Sequence, residues 1–493
     1  MFEMITPEAA GIPSSEISGF IRYLNNNSFS IHSLILIKGD KIYTEAYWKP
    51  FHKDFCHRQY SQTKSFVGIA IGLLVSDGKL SLDDRIADHF ADKIDDPAAL
   101  PEGLKKQTVR DMLTMSTAGK CESWFTSSDD DRTHLYFSSS KEKRLTGALW
   151  RYDSAGSQVL SSLVERIAGK PLFEFLRERL FIYMDSFNTA EILKTPNGDS
   201  WGDSAMICTA RDMASFGKLL MDGGRWGGRQ LVDEEYVKAA TAAQVDNSER
   251  DFGGVFGHGY GYQIWRAPRG GFAFVGMGAQ LTVVMPHKEL IFVINSDTQG
   301  RGGAYDLIVN GYLSFIVDRM GDEPLPENPE EYSKLRGLIE GLELFALKGD
   351  TASGLKEKIN GKVWTCEANA LGMTEFSFVF DEDRGEFGYT NAQGYKVIPF
   401  GINKNLFGKF PQLGYSGDVG GIRTDDGSMY NDAVSLRFTG ENKLQLMVQI
   451  IDRYFGNFLA TFAFEEKVAV CRFDKSAEDF LDEYRGEFIS HLK

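Results

Sequence analysis

Cysteine is scarce in this chain of 493 residues: five are scattered as Cys56, Cys121, Cys208, Cys366 and Cys471. An odd number without short repeated spacing gives no disulfide framework and no thiolate metal site, and the expectation is reduced thiols in a cytoplasm. Histidine is equally sparse, with eight residues and neither an H-x-x-x-H nor an H-x-H pair. No metal and no cofactor are implied. Long apolar runs are missing too, since no stretch approaches the ~18 residues of a membrane-spanning helix. The opening MFEMITPEAAGIPSSEIS places Glu3 and Glu8 where an export signal carries positive charge, so no signal peptide is read there. Positive charge is short overall, with 54 Lys and Arg against 69 Asp and Glu and a formal net charge of −15. That balance argues against nucleic acid and against anionic membrane surfaces as partners. No Walker loop occurs, which removes nucleotide cradles. The run GHGYGYQIWR (257–266) fails as a dinucleotide fingerprint because Tyr262 occupies the last glycine position.

What is present suits a soluble α+β protein of two domains. Residues Leu34 to Trp48 read as a hairpin turning at Lys38-Gly39-Asp40. A helix apolar nearly all round is expected from Ser61 to Val75, stopped by Asp77-Gly78. Helical spacing recurs over Ser161 to Tyr183, Ala210 to Leu220 and Ala304 to Met320. FAFVGMGAQLTVVMP and ELIFVINSD read as apolar strands separated by Pro286-His287-Lys288. Helices interleaved with one antiparallel sheet built from both ends of this region account for the pattern. The acidic, proline-rich DEPLPENPEE (322–331) reads as a linker, with a short helix expected over Tyr332 to Ala346. Beyond Gly354, eight short alternating runs separated by turns predict an antiparallel barrel or sandwich. The expected boundaries are 1–320, a connecting 321–349, and a β-rich 350–493 resembling a lipocalin-like barrel.

The chemistry concentrates at Ser61-Gln62-Thr63-Lys64. Residues three apart share a helix face, so the Ser61 hydroxyl and the Lys64 amine can meet. A serine hydroxyl needs a base to become a nucleophile, and an amine serves where desolvation disfavours its charged form. The helix N-terminus adds a positive dipole end that favours a developing oxyanion. S-x-x-K occurs seven times in the chain, yet only the Ser61 copy opens a long apolar helix.

The run YSQTKSFVGIAIGLLVSDGKLSLDD resembles the first signature of the β-lactamase-related serine hydrolases. TVRDMLTMSTAG and TARDMASFGKLLMDGG resemble further parts of the same family, in the same order. PEAAGI followed by IHSLILIKGDKIYTEAYWKP is similar to its branch of 6-aminohexanoate-dimer hydrolases and related esterases. The likeness covers about residues 5–318 and implies a β-lactamase/transpeptidase-like fold for that region, of the penicillin-binding-protein type.

In that family a Tyr-x-Asn or Tyr-x-Ser motif brings a tyrosine beside the serine and lysine. Tyr152-Asp153-Ser154 matches it, which implies a proton-relaying phenol at Tyr152 and a hydrogen-bonding role for Ser154. The family's Lys/His-x-Gly strand motif corresponds to Gly276-Met277-Gly278-Ala279-Gln280, with neither lysine nor histidine. The missing cation would hold a substrate carboxylate, so its loss counts against β-lactamase and D-Ala-D-Ala carboxypeptidase activity. The glycines still allow a strand to supply one N–H of an oxyanion hole, the other coming from Ser61. His258, Tyr260, Tyr262 and Trp265 are placed at or near the cleft, with Tyr260 taken as substrate-binding. The resemblance implies hydrolysis of a small ester or amide through an acyl-Ser61 intermediate. Two alternatives remain: an inactive relative binding a ligand or peptide, favoured if Lys64 is paired to a carboxylate, and a main role carried by the C-terminal barrel. D-aminopeptidase or β-lactamase activity is a further alternative within the hydrolase reading.

Overall fold

The apolar runs from both ends of the first 320 residues pair into one sheet, and helices cover both of its faces. The strands are β1 (Glu3–Met4), β2 (Ser30–Lys38), β3 (Lys41–Tyr47), β4 (Trp265–Arg266), β5 (Phe272–Gly276), β6 (Gln280–Met285) and β7 (Leu290–Asp297). Their order across the sheet is β1-β3-β2-β7-β6-β5-β4. The hairpin β2–β3 and the meander β4–β5–β6–β7 are antiparallel, while β1 joins β3 in parallel. The computed structural model describes residues 2–124, 127–142, 144–249, 254–350, 354–414, 416, 418–420, 427, 429–476 and 484–493. Among the described residues, no helix is long and apolar enough to cross a membrane.

Burial on both faces explains why these strands read as continuous apolar runs rather than as alternating ones. Ile35, Ile37, Phe272, Phe274, Val284 and Val293 face a core shared with helices α2 (Thr63–Ser76), α3 (Ser154–Ala168) and α4 (Ala210–Met221). Leu34, Leu36, Ala273, Leu281, Val283 and Phe292 face a second core with α1 (Ser14–Asn26) and α5 (Ala304–Tyr312). The expected hairpin turns at Gly39 and Asp40, and Gly78 takes the left-handed conformation just past α2. Three expectations need correction. The helix expected over Ser161 to Tyr183 runs Ser154–Ala168, begun by the Asp153 side chain accepting from Gly156 N and ended at the left-handed Gly169. The helix expected over Tyr332 to Ala346 runs Pro329–Glu340, capped by Asn328 and ended at Gly341. FAFVGMGAQLTVVMP is two strands, not one: Gly278 and Ala279 adopt φ of +77° and +61° and reverse the chain.

The chain folds as two compact units. One holds Met1–Ser296, Gly303–Glu343 and Gly417–Gly420; the other holds Asp297–Gly302, Leu344–Ser416 and Gly421–Lys493. The second unit is a closed antiparallel barrel with one parallel seam. Its strands are β8 (Val363–Cys366), β9 (Glu375–Asp381), β10 (Arg384–Asn391), β11 (Gly394–Ile402), β12 (Leu406–Leu413), β13 (Met429–Gly440), β14 (Lys443–Ile451), β15 (Phe455–Glu465), β16 (Val468–Lys475) and β17 (Gly486–Leu492). Nine of them run in the circuit β11-β10-β9-β8-β17-β16-β15-β14-β13, closed where β11 meets β13 at Gly401–Ser435 and Ile402–Leu436. Closure removes the exposed edges that an open sheet would leave. β12 pairs along the first half of β13 outside that circuit. Alternate residues point inward, and phenylalanines fill the interior: Phe378 lies 5.0 Å from both Phe387 and Phe462, centroid to centroid.

Candidate active site

The chain leaves the short strand His57–Arg58 and must reverse at once to enter α2. Tyr60 makes that reversal in the left-handed region, with φ of +47°, a conformation that a bulky residue adopts only when its surroundings enforce it. The enforcement is visible. The Tyr60 ring is buried under the Arg58 guanidinium, 4.6 Å from its centroid, and Tyr60 O accepts from Thr63 Oγ1 at 2.6 Å. Ser61 therefore sits in a single 3-10 turn, Tyr60–Gln62, immediately ahead of α2. It is half-buried, while Lys64 one turn later is 1% exposed.

Lys64 Nζ donates to Ser61 Oγ at 2.9 Å and to the Asp203 carbonyl at 2.6 Å. Its amine also lies 5.1 Å from the centre of the Tyr152 ring. The three residues named from the sequence as catalytic are thus brought together around one amine. Tyr152 stacks on Trp265 at 5.7 Å, and Trp150 and Tyr260 complete the aromatic wall behind it. Tyr260 is fully buried in that wall, where burial and the neighbouring Tyr152 push its phenol well above the usual range. Its place is therefore support for Tyr152 and Trp265. Tyr262 lies elsewhere, buried beside Tyr236 with its hydroxyl accepting from Arg110, and His258 is exposed.

Ser154 opens α3 directly after the cap residue Asp153 and is half-buried. Asp153 is the more embedded of the two: it accepts from Thr117 Oγ1 at 2.8 Å and from Gly156 N at 3.0 Å. Burial raises its carboxyl, against the pull of those hydrogen bonds and of Arg144 and Lys64.

The glycine-rich segment is the turn between β5 and β6. Gly276 is its last β5 residue, and a Cβ there would lie 2.3 Å from Gln59 O, two residues before Ser61. The absence of a side chain is what lets this strand end reach the nucleophile's loop. Tyr305 OH donates to Gly276 O at 2.9 Å and fixes it from outside. Met277 is 39% exposed, and Gly278 and Ala279 make the turn. Gln280 is buried; its amide donates to Met277 O and accepts from Asn295 and from Ser296 N, so it braces the turn from within. Asn295 also donates to Gln59 Oε1, which ties the turn to the loop before Ser61.

Three residues that sequence reasoning missed complete the site. Asp203 places its carboxylate 3.8 Å from Lys64 Nζ, and both side chains are at most 5% exposed. Arg58 is fully buried and donates to Ser204 O at 3.1 Å. Gln263, itself left-handed, accepts from Ser157 of α3 while its carbonyl accepts from Ser65 of α2, which locks the two helices carrying the site. Asp203 is remote in sequence from every motif, while Arg58 stands three residues before Ser61 and Gln263 lies inside the 257–266 run without a spacing that marks either for the site.

The chain resembles known proteins in sequence and in fold. The curated 6-aminohexanoate-dimer hydrolase of Paenarthrobacter ureafaciens is 25% identical over 279 residues, 53% of this chain and 71% of that one. A Bacillus anthracis structure assigned as a 6-aminohexanoate-dimer hydrolase superposes with a TM-score of 0.54 at 17% identity, covering 66% of this chain and 89% of the other. D-amino acid amidase from Ochrobactrum anthropi SV3 superposes with a TM-score of 0.50 at 17% identity, covering 62% and 98%. At such identities the structural matches speak for the fold. The Beta-lactamase family model matches residues 32–309, a span that contains Ser61, Lys64, Tyr152, Asp203 and the 276–280 turn. More than half of the chain lies in that match, and the protein is a member of the beta-lactamase family of hydrolases.

Proposed function

We propose that the protein is a serine hydrolase that cleaves a small ester or amide through an acyl-Ser61 intermediate. The observation that carries this reading is the 2.9 Å hydrogen bond between the Lys64 amine and the Ser61 hydroxyl at the start of a buried helix. Lys64 takes the hydroxyl proton as Ser61 Oγ bonds to the acyl carbon. Tyr152, beside the same amine, passes the proton to the leaving group as the acyl bond to it breaks. Water then attacks the acyl-enzyme with the roles reversed, releasing the acid and restoring Ser61. The N–H groups of Ser61 and Met277 are the donors we assign to the oxyanion, at the helix start and at the end of β5.

No lysine or histidine stands in the 276–280 turn, and Met277 is its exposed side chain. That favours substrates without a carboxylate at this end over penicillins and peptidoglycan stems. The relatives named for 6-aminohexanoate-dimer hydrolysis and D-amino acid amide hydrolysis make small amides the first class to try, with esters alongside. A panel of both, assayed with and without Ser61, tests the reading; no Ser61-dependent turnover on any member contradicts it.

One observation favours a second reading. The Asp203 carboxylate lies 3.8 Å from Lys64, and such a partner can hold the amine protonated and idle, as in an inactive relative that binds a ligand. Covalent labelling of Ser61 separates the two, because an idle serine is not labelled.

A further inference from the structure

Asp203 reaches Lys64 from a separate element, the loop leading into the strand Met206–Cys208. It touches the amine twice: its carbonyl accepts from Nζ at 2.6 Å, and its Oδ2 lies 3.8 Å away. The loop is anchored on either side. Met206 N donates to Thr63 Oγ1 at 3.0 Å on α2, and Arg58 Nε donates to Ser204 O at 3.1 Å. These contacts leave Lys64 Nζ between Ser61 Oγ on one side and Asp203 on the other, with the Tyr152 ring as the third wall. Resting on the hydrolase reading above, we infer that Asp203 is the positioning residue of the Ser61–Lys64 pair. Its carbonyl aims the amine at the hydroxyl, and its carboxylate stabilises the ammonium formed when the Ser61 proton moves to Lys64. No proton leaves the pair: the Oγ–H bond breaks, an N–H bond forms, and the ammonium forms beside the carboxylate.

The charged groups around this amine come from four elements. Asp203 is on the loop before Met206–Cys208, Arg58 on the strand before Ser61, Asp153 at the cap of α3, and Arg132 at a longer range acts on Asp203. Burial holds the Asp203 carboxyl above the usual carboxylate range, while Lys64 and Arg58 pull it down. A carboxylate retained in so dry a place acts strongly on its neighbour.

The test is Asp203→Asn, which keeps the carbonyl and the shape and removes the charge; Asp203→Ser is the second variant, with less bulk. The readout is the rate of covalent labelling of the full chain by a fluorophosphonate across pH, since the position of the acidic limb does not depend on how much variant folds. The inference expects the plateau rate to fall on the order of 10²-fold and the acidic limb to move to lower pH in both variants. An anionic neighbour favours the protonated base, so its loss lets the base act at lower pH. Labelling of the wild type with an unmoved limb in both variants overturns the role of Asp203 alone. No labelling of the wild type overturns the hydrolase reading and this inference together.

Discussion

Adding one methyl group at Gly276 puts the geometry of the site under direct strain. A Cβ at that position would sit 2.3 Å from Gln59 O, 3.1 Å from the Gln280 Cβ and 3.3 Å from the Gln59 carbonyl carbon. Two of these are backbone atoms and cannot rotate away. Relief requires the end of β5 and the loop before Ser61 to move apart by about 1 Å. The turn cannot yield alone, because Gln280, Asn295 and Tyr305 hold it by hydrogen bonds. The loop cannot yield alone either, because Gln59 donates to His57 O and Cys208 O and accepts from Gln62 and Asn295. Overpacking of this kind costs about 1–3 kcal/mol of stability. A displacement near 1 Å between nucleophile and oxyanion donors costs on the order of 10²-fold in rate. Gly276→Ala is therefore expected to melt a few degrees lower and to acylate about 10²-fold more slowly, measured by thermal denaturation and fluorophosphonate labelling. A variant that is labelled at the wild-type rate refutes the reasoning, since Gly276 would then have no part in placing Ser61 against the turn.

Tyr152→Phe keeps the ring stacked on Trp265 and removes the hydroxyl, so its melting temperature is expected to stay within a degree or two while turnover falls about 10²-fold. A fall in stability with full turnover would instead mark Tyr152 as a packing residue. In the barrel, burial pushes the Asp432 carboxyl up to about 7, well above its ordinary value. A carboxyl raised on folding resists ionisation, so the native state loses stability as pH rises from about 4 through about 7. Asp432→Asn should remove that slope and gain at most about 4 kcal/mol at pH 8; urea melts across this window that run parallel in both proteins would contradict it.

Much of the fold is legible in the residues because local pattern and tertiary environment agree. α2 is apolar on every side, as a helix enclosed in a core must be, and Gly78 supplies the left-handed residue beyond it. The barrel strands alternate, and eight of them can be traced from their residues alone. The two that cannot, β12 and β17, lack that signal: β12 carries Gly408 and Pro411 and is largely exposed, and β17 is short and lies near the chain end. The segment 272–285 misleads because both faces of β5 and β6 are buried, which hides the turn inside one apolar run. At the site, Ser61, Lys64 and Tyr152 stand out because each belongs to a short motif or a resemblance. Asp203 does not, because 139 residues separate it from the lysine it touches. Tyr260 is legible only in part: it is close to Tyr152, but as a buried wall.

The central claim is that Ser61 is an activated nucleophile, and intact mass after treatment with a fluorophosphonate tests it most directly. The account predicts one adduct on the wild type and none on Ser61→Ala, with the variant melting at nearly the same temperature because Ser61 is half-buried and Lys64 keeps the Asp203 carbonyl. An unmodified wild type under conditions that label a known serine hydrolase, or an adduct that persists in Ser61→Ala, contradicts it.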